Sequence, residues 1–122
     1  MSKILVIEDD SFLQSLEASK LNKEGFEVIT ASTGDEGMAK INEPGVSLVL
    51  LDLMLPNFDG FDILKKMREQ ETTKTTPVIV FSNLSEDTAM QKAEALGATK
   101  FMVKSNFTLE ELVTEIKAVL NK

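Results

Sequence analysis

The run Ser47-Leu48-Val49-Leu50-Leu51-Asp52-Leu53-Met54-Leu55-Pro56 decides how the chain can fold, because it is mostly apolar and contains one carboxylate. Polar and apolar residues do not alternate within it, which is typical of a strand covered on both faces in a parallel sheet. Pro56 and Gly60 then interrupt the chain before the next helical pattern. Asp52 is therefore expected near the C-terminal end of a central strand, at the edge where open α/β sheets bind ligands. An isolated aspartate could also cap a turn there, so the rest of the chain has to decide.

The composition of the chain restricts the chemistry that it can perform. With 122 residues, of which 43% are hydrophobic, the sequence predicts one domain with a single core over residues 1–122. It contains neither cysteine nor histidine, which excludes disulfides, thiol nucleophiles, Ser/His/Asp catalysis and the usual zinc sites. Carboxylates, amines and hydroxyls remain as the reactive groups.

The charge and hydropathy of the chain bear on its partners. Its formal net charge of −7 argues against direct binding to nucleic acid or to an anionic membrane, since either needs a basic patch. No apolar run approaches the ~20 residues that span a bilayer. A strand pattern that begins at Lys3, after Met1-Ser2, is expected to leave no room for a signal peptide. We therefore expect a cytoplasmic protein, whose carboxylates could hold a hard cation if several of them converge.

Five strand patterns alternate with five helical patterns along the chain. The strands are expected over 3–7, 26–30, within 47–56, and over 77–81 and 99–103. The first helix is expected over 11–22, with an apolar face formed by Leu13, Leu16 and Leu21. The later helices are expected to start at Thr33 (with Glu36), Asp59, Ser85 and Thr108 (with Glu111). This alternation predicts a doubly wound α/β domain, (βα)₅, with a five-stranded parallel sheet in the flavodoxin-like order 2-1-3-4-5.

Polar residues stand where four of these strands end. They are Glu8 and Asp9, then Asp52, Ser82 and Lys104. All strands of a parallel sheet end at the same edge, and these four strands are neighbours in the expected order. Each residue alone could simply cap a helix or be solvated. Together, the acids, the hydroxyl and the ammonium are predicted to share one crevice.

The chemistry of such a crevice favours a cation and a phosphoryl group. Three carboxylates in a small space repel one another, and either protonation or a bound cation relieves the repulsion. With only oxygen ligands present, Mg²⁺ is the expected ion and Mn²⁺ is possible. A lysine and a hydroxyl beside the ion suit the transition state of phosphoryl transfer. An aspartate can act as the nucleophile and carry the group as an aspartyl phosphate.

As a set, these motifs resemble the receiver domain of bacterial two-component response regulators, in the single-domain form typical of chemotaxis regulators. The resemblance covers the whole chain and rests on Glu8-Asp9, on Asp52 followed by Met54, Pro56 and Asp59-Gly60, on Ser82 and on Lys104. It implies a signalling domain in a phosphorelay. Such a domain is not an enzyme with external substrates, and it assists only its own phosphorylation and dephosphorylation.

The resemblance implies roles for the acidic residues. Asp52 would be the phosphoacceptor, attacking the phosphohistidine of a sensor histidine kinase or of a histidine phosphotransfer protein. Asp9, Asp52 and the backbone carbonyl of Met54 would ligate Mg²⁺, while Glu8 would hold the ion through water.

Further roles follow from the resemblance at the other strand ends. Lys104, Ser82 and the backbone N–H of Asn83 would contact the phosphoryl oxygens. Ser82 and Phe101 would form the switch that alters the partner-binding face, within about 86–122. Alternatively, Phe101 is an ordinary apolar residue of the fifth strand. The partner would be a downstream protein or an output domain, and the domain would be a monomer or a phosphorylation-dependent homodimer.

Several positions depart from the family pattern. Ser105 follows Lys104 where proline in a cis peptide bond is usual, and Asn83 stands where the family has a small residue. Phe101 lacks the hydroxyl of the frequent tyrosine, so a switch there would depend on packing. Met54 and Leu84 are apolar where fast-hydrolysing receivers carry groups that orient water, which favours a long-lived phosphoryl group.

Three other functions are compatible with parts of the sequence. A Mg²⁺-dependent phosphatase of the haloacid-dehalogenase type would have a second aspartate at position 54, which here is methionine. A flavin- or nucleotide-binding module would need phosphate-binding amides after the first strand, where Glu8-Asp9-Asp10 would repel phosphate. An unphosphorylated adaptor would not need the complete set of site residues.

Overall fold

The computed structural model describes residues 2–121, which form a five-stranded sheet, five α-helices and a short hairpin. The sheet strands are β1 (Lys3–Ile7), β2 (Glu27–Ala31), β3 (Val46–Leu51), β4 (Val78–Ser82) and β5 (Lys100–Val103). The helices are α1 (Ser11–Lys23), α2 (Gly34–Lys40), α3 (Phe61–Glu69), α4 (Asp87–Ala95) and α5 (Leu109–Asn121). Within the described residues, every helix is too short or too polar to cross a bilayer.

The sheet has the doubly wound arrangement that the sequence predicts. Its strands lie in the order β2-β1-β3-β4-β5, and every neighbouring pair is parallel. The central strands are covered on both faces, and all five residues of β4 are buried. This explains why polar and apolar residues do not alternate in the central runs. All five strands end at one edge, so the polar residues that follow them lie along that edge.

Two apolar layers hold the helices against the sheet, and β3 contributes to both. Val49 and Leu51 face one layer, together with Ile63, Leu64 and other residues of α3. Leu48 and Leu50 face the other layer, which includes residues of α1 and α5. Because each fully buried aliphatic side chain contributes roughly 1.5–3 kcal/mol, these layers fix the position of β3 and of the residue that follows it.

The run 47–56 is not a single strand, contrary to the simplest interpretation of its apolar character. The chain leaves the sheet after Leu51, and the pairs Met54–Leu55 and Phe58–Asp59 form an antiparallel hairpin. Asn57 adopts a left-handed conformation (φ 57°) in the turn of this hairpin. Gly60 closes the segment: a Cβ there would lie 2.6 Å from the Cα of Leu53. Asp52 is thereby held between the end of β3 and a tightly packed turn.

Two helix starts have the side-chain caps that the sequence predicts. Thr33 Oγ1 accepts the N–H of Glu36 at 3.0 Å at the start of α2. Thr108 Oγ1 accepts the N–H of Glu111 at 3.1 Å, and Glu111 Oε1 accepts the N–H of Thr108 at 2.8 Å. The second pair is a complete capping box and begins α5.

The two other predicted caps differ from the structure. Asp59 Oδ1 accepts the N–H of Phe61 at 2.9 Å, although Gly60 is the residue that directly precedes α3. The prediction for Ser85 is wrong: α4 begins after Glu86, without a side-chain cap. All three residues at 85–87 are polar and could precede the first turn of α4, so the local sequence did not show at which of them the helix begins.

Candidate functional site at the carboxyl edge of the sheet

Three charged residues meet where β1, β3 and β5 end. Glu8 directly follows β1, Asp52 follows β3 and Lys104 follows β5. Backbone bonds fix the first two: the N–H of Glu8 donates to Ala31 O at 3.0 Å, and the N–H of Asp52 donates to Ile7 O at 3.1 Å. The side chains of Glu8 and Asp52 are only 2% and 6% exposed, so their charges are largely removed from water.

Lys104 bridges the two buried carboxylates. Its Nζ lies 2.6 Å from Glu8 Oε1 and 2.7 Å from Asp52 Oδ2. The Lys104 side chain crosses from β5 past β4 to reach them, and only 12% of it is exposed. The arrangement is an ion-paired triad with little access for water. Its charges interact more strongly than those of surface pairs, because the surrounding dielectric is lower.

The protonation of the triad reflects a balance between burial and ion pairing. Burial raises the pKa of the Glu8 carboxyl, and the Lys104 ammonium and the N–H of Asp10 offset only part of this effect. Burial alone would lower the pKa of the Lys104 ammonium. Its hydrogen bonds to Asp52 and Glu8 outweigh burial, so the pKa of Lys104 is raised and the ammonium remains charged at neutral pH.

Asp9 completes a group of carboxylates that could ligate a cation. One carboxylate oxygen from each of Glu8, Asp9 and Asp52 lies within 4.8 Å of the others, and Asp9 is exposed to solvent. Within residues 2–121, this is the one such cluster of three or more acidic side chains. An all-oxygen donor set with one solvent-facing member suits a hard ion that retains water, such as Mg²⁺.

Asp52 is oriented by a second donor. Its Oδ1 accepts the backbone N–H of Met54 at 2.9 Å, while Oδ2 faces Lys104. The bond to Met54 fixes the plane of the carboxylate and ties it to the hairpin that follows β3. Met54 itself is 53% exposed.

Ser82 and Asn83 lie at the end of β4, between the elements that carry Asp52 and Lys104. Ser82 is fully buried and its Oγ accepts the N–H of Leu84 at 3.3 Å. Asn83 is exposed, and its Oδ1 accepts the N–H of Ser105 at 3.1 Å. All peptide bonds of the described residues are trans, including the bond between Lys104 and Ser105.

Phe101 is partly buried on the same face of the sheet as Ser82. It is paired with Val80 in the β4–β5 register, and Ser82 lies two residues beyond Val80. Because side chains alternate along a strand, Val80, Ser82 and the ring of Phe101 face one side. The ring packs against the α3 side of the core and lines a surface cleft of about 240 Å³ beside α4.

Glu17 is a buried acid near this edge that the sequence pattern did not reveal. It is 1% exposed, and neither carboxylate oxygen has a hydrogen-bond partner among the described residues. Leu16 was expected on the buried face of α1 but is 42% exposed, so the predicted apolar face is wrong at this position. The buried row instead passes through Glu17 to Leu21, four residues apart. The four-residue spacing that runs from Leu13 through Glu17 to Leu21 was the signal in the sequence that could have revealed this buried row.

The environment of Glu17 strongly disfavours its charged form. Burial raises the pKa of this carboxyl to about 8, and the negative charges of Glu8, Asp52 and Asp10 add to the effect. Lys104 acts in the opposite direction but does not compensate. Glu17 is therefore mainly protonated at neutral pH.

Comparison with known proteins identifies the family. Residues 4–117 match the family model described as the response regulator receiver domain. The chain is 34% identical over its whole length to the phosphate regulon transcriptional regulatory protein PhoB of Rhizobium meliloti, and it covers 53% of that protein. It is 38% identical over its whole length to the CpxR homolog of Haemophilus influenzae and covers 52% of it. The chain thus spans about half the length of these curated relatives.

Solved structures agree with the sequence matches. A CheY-like receiver domain protein from Methanospirillum hungatei superposes with a TM-score of 0.92 at 26% identity, covering 99% of this chain and 94% of that one. The chemotaxis protein CheY4 of Vibrio cholerae gives 0.90 at 30% identity, with coverage of 98% and 99%. The expected resemblance is confirmed in sequence and in fold. The chain belongs to the receiver domains of two-component response regulators, a signalling family whose general mechanism is phosphorylation on aspartate.

Proposed function

We propose that Asp52 is the phosphoacceptor and that residues 1–122 act as one receiver unit. The observation that carries the proposal is the contact of Asp52 Oδ2 with the Lys104 ammonium at 2.7 Å, in a buried pocket shared with Glu8. A carboxylate held between an ammonium and a backbone N–H is oriented and largely dry, as a nucleophile for phosphorus should be.

The groups that react in the transfer step are Asp52 of this chain and the phosphohistidine of the proposed partner. An oxygen of Asp52 forms a bond to phosphorus while the phosphorus–nitrogen bond of a phosphohistidine breaks. The electron pair of that bond stays on the imidazole nitrogen, which then takes up a proton. Lys104 holds Asp52 Oδ2 in this structure, and its ammonium, with three N–H donors, can donate to an oxygen of the incoming group. Positive charge then stays beside the oxygens on which negative charge develops.

The acidic cluster is proposed to hold Mg²⁺, with Mn²⁺ as a substitute. Asp9 and Asp52 would ligate the ion directly with the carbonyl of Met54, and Glu8 would act through water. The support is the proximity of the three carboxylates and their all-oxygen chemistry. The ion would neutralise charge on the phosphoryl oxygens. The chain's own contribution is to hold the carboxylates in place against their mutual repulsion.

Ser82 and Phe101 are proposed as the switch. The Ser82 hydroxyl and the backbone N–H of Asn83 would donate to phosphoryl oxygens, drawing the end of β4 toward Asp52. Ser82 and Phe101 face the same side of the sheet, and the cleft of about 240 Å³ beside α4 gives the ring room to change position. Movement of Ser82 would thus be transmitted to α4 by packing alone, because this aromatic residue has no hydroxyl.

The partners are proposed from the same site chemistry. The phosphodonor would be a sensor histidine kinase or a histidine phosphotransfer protein in the cytoplasm. The output would pass through a downstream protein or an output domain, rather than through direct contact of this acidic domain with nucleic acid or membrane. The domain would act as a monomer or as a homodimer formed on phosphorylation, and would not turn over external substrates.

Phosphorylation by acetyl phosphate tests the assignment of Asp52. With Mg²⁺ present, the wild-type chain should gain the mass of one phosphoryl group, and the Asp52→Asn variant should gain none, because an amide is not a nucleophile here. Intact-mass spectrometry measures both. Asp59→Asn is a matched control outside the charged triad and should be phosphorylated like wild type. Equal phosphorylation of Asp52→Asn and wild type would rule out Asp52 as the acceptor.

A second prediction concerns the lifetime of the phosphoryl group. Met54 and Leu84 place apolar side chains in the segments that follow Asp52 and Ser82, where neither can orient an attacking water. Loss of radiolabelled phosphate from the phosphorylated protein should therefore take minutes or longer. Polar substitution, as in Met54→Asn, should accelerate it several-fold. A half-life of seconds for the wild-type protein would contradict the prediction.

A further inference from the structure

The loops after β4 and β5 are joined by one side chain. Asn83 directly follows β4, and its Oδ1 accepts the backbone N–H of Ser105 at 3.1 Å. Ser105 is the residue immediately after Lys104. The Asn83 side chain, in the loop after β4, therefore holds the backbone of the loop after β5 at the residue that follows Lys104.

This contact extends the pairing of β4 with β5. Ser82 is paired with Val103 in the sheet, and the next residue, Asn83, holds Ser105. Lys104 is thus fixed on both sides by two consecutive residues of the neighbouring strand end. Its carbonyl also accepts the N–H of Phe107 at 3.3 Å, which closes a short 3₁₀ turn over Lys104–Asn106.

Fixing the backbone matters because the lysine side chain is long. Its ammonium lies on a flexible four-carbon chain and has to reach carboxylates that follow two other strands, at 2.6 and 2.7 Å. Mobility of the loop would add backbone disorder to the rotamer freedom of this side chain. We propose that Asn83 is a positioning residue for Lys104, acting through the N–H of Ser105. As a statement about phosphoryl transfer, this rests on the function proposed above.

The Asn83→Ala variant tests the contact against a matched control. Losing one ordinary hydrogen bond should lower the rate constant for phosphorylation by acetyl phosphate about three- to tenfold. Ser105→Ala removes a side chain from the same loop but keeps the backbone N–H, and should leave the rate unchanged. Because Asn83 is exposed, the unfolding midpoint of Asn83→Ala should stay close to that of wild type.

Two NMR measurements separate positioning from a general structural role. Hydrogen exchange at the Ser105 amide should be slower in wild type than in Asn83→Ala. The ¹⁵N signal of the Lys104 ammonium should broaden in Asn83→Ala, because its ion pairs become mobile. An unchanged rate and ammonium signal in Asn83→Ala would overturn the proposal. So would a faster rate, which would identify Asn83 as a steric shield over Asp52. If wild type were not phosphorylated at all, the proposed function would fail, while the two NMR measurements would still decide whether Asn83 positions Lys104.

Discussion

Substitution of Lys104 by methionine is expected to lower the free energy of unfolding by about 3–5 kcal/mol at pH 7 without divalent cation, as is typical when one partner of a buried ion pair is removed. Methionine fills similar space but leaves Glu8 and Asp52 as two buried carboxylates without a counter-charge. Asp9 nearby adds a third negative charge. The substitution should also slow phosphorylation by on the order of a hundredfold, because it removes a donor to the developing charge.

Urea denaturation, with and without Mg²⁺, measures the effect on stability. An ion bound by the folded state stabilises it in proportion to the logarithm of its concentration, so Mg²⁺ should restore part of the lost stability. Lys117→Met is the matched control, since Lys117 forms an exposed ion pair with Glu24 at 2.7 Å that solvent screens, and its loss should cost far less than the loss of Lys104. If Lys104→Met and Lys117→Met lost the same unfolding free energy, Lys104 would not be the charge that compensates the buried carboxylates of Glu8 and Asp52.

Substitution of Glu17 by leucine should raise the free energy of unfolding, by about 3 kcal/mol at pH 7, whereas the Lys104 substitution lowers it. The figure follows from the cost of keeping this carboxyl protonated in the folded state. Glu17 lies in the apolar row of α1 with both oxygens unpartnered among the residues that the structure describes. In the unfolded chain the same carboxyl ionises with its ordinary pKa of 4.5, whereas burial raises the folded-state pKa to about 8. The native state must therefore hold a proton that the unfolded state releases.

The pH dependence of this effect has a definite sign. Between pH 4.5 and about 8 the folded state binds the Glu17 proton and the unfolded state does not. The contribution of Glu17 to stability is therefore fully present below pH 4.5 and is lost as the pH rises toward 8. The difference in unfolding free energy between Glu17→Gln and wild type should grow by about 1.4 kcal/mol per pH unit across this window.

The chain is well suited to this measurement, because it contains no histidine, cysteine or tyrosine to titrate between pH 6 and 9. The α-amino group does titrate there, but it is common to wild type and variants and cancels in the difference. Glu43→Gln, at an exposed position before β3, is the control for loss of one negative charge. A constant difference between Glu17→Gln and wild type from pH 5 to 8 would mean that Glu17 is hydrated and ionised in the folded protein.

The sequence by itself determined the fold class and the edge at which chemistry can occur. Short apolar runs without alternation indicate strands covered on both faces, and the alternation of strand and helix patterns then predicts parallel strands that end together. The acids at 8, 9 and 52 and the lysine at 104 follow such strands, so topology alone brings them to one edge. That inference needs only the period of each pattern and the order of the elements.

Only the tertiary structure decided which groups touch and which are buried. Lys104 could have pointed to solvent, and its bridge between Glu8 and Asp52 depends on the side-chain path across β4. The bond from Ser105 to Asn83 joins residues 22 positions apart, beyond the reach of local pattern. Glu17 shows the limit most clearly: its residue type predicts exposure, yet the position of α1 on the sheet buries it. Polarity is a property of one residue, whereas burial is decided by every element packed around it.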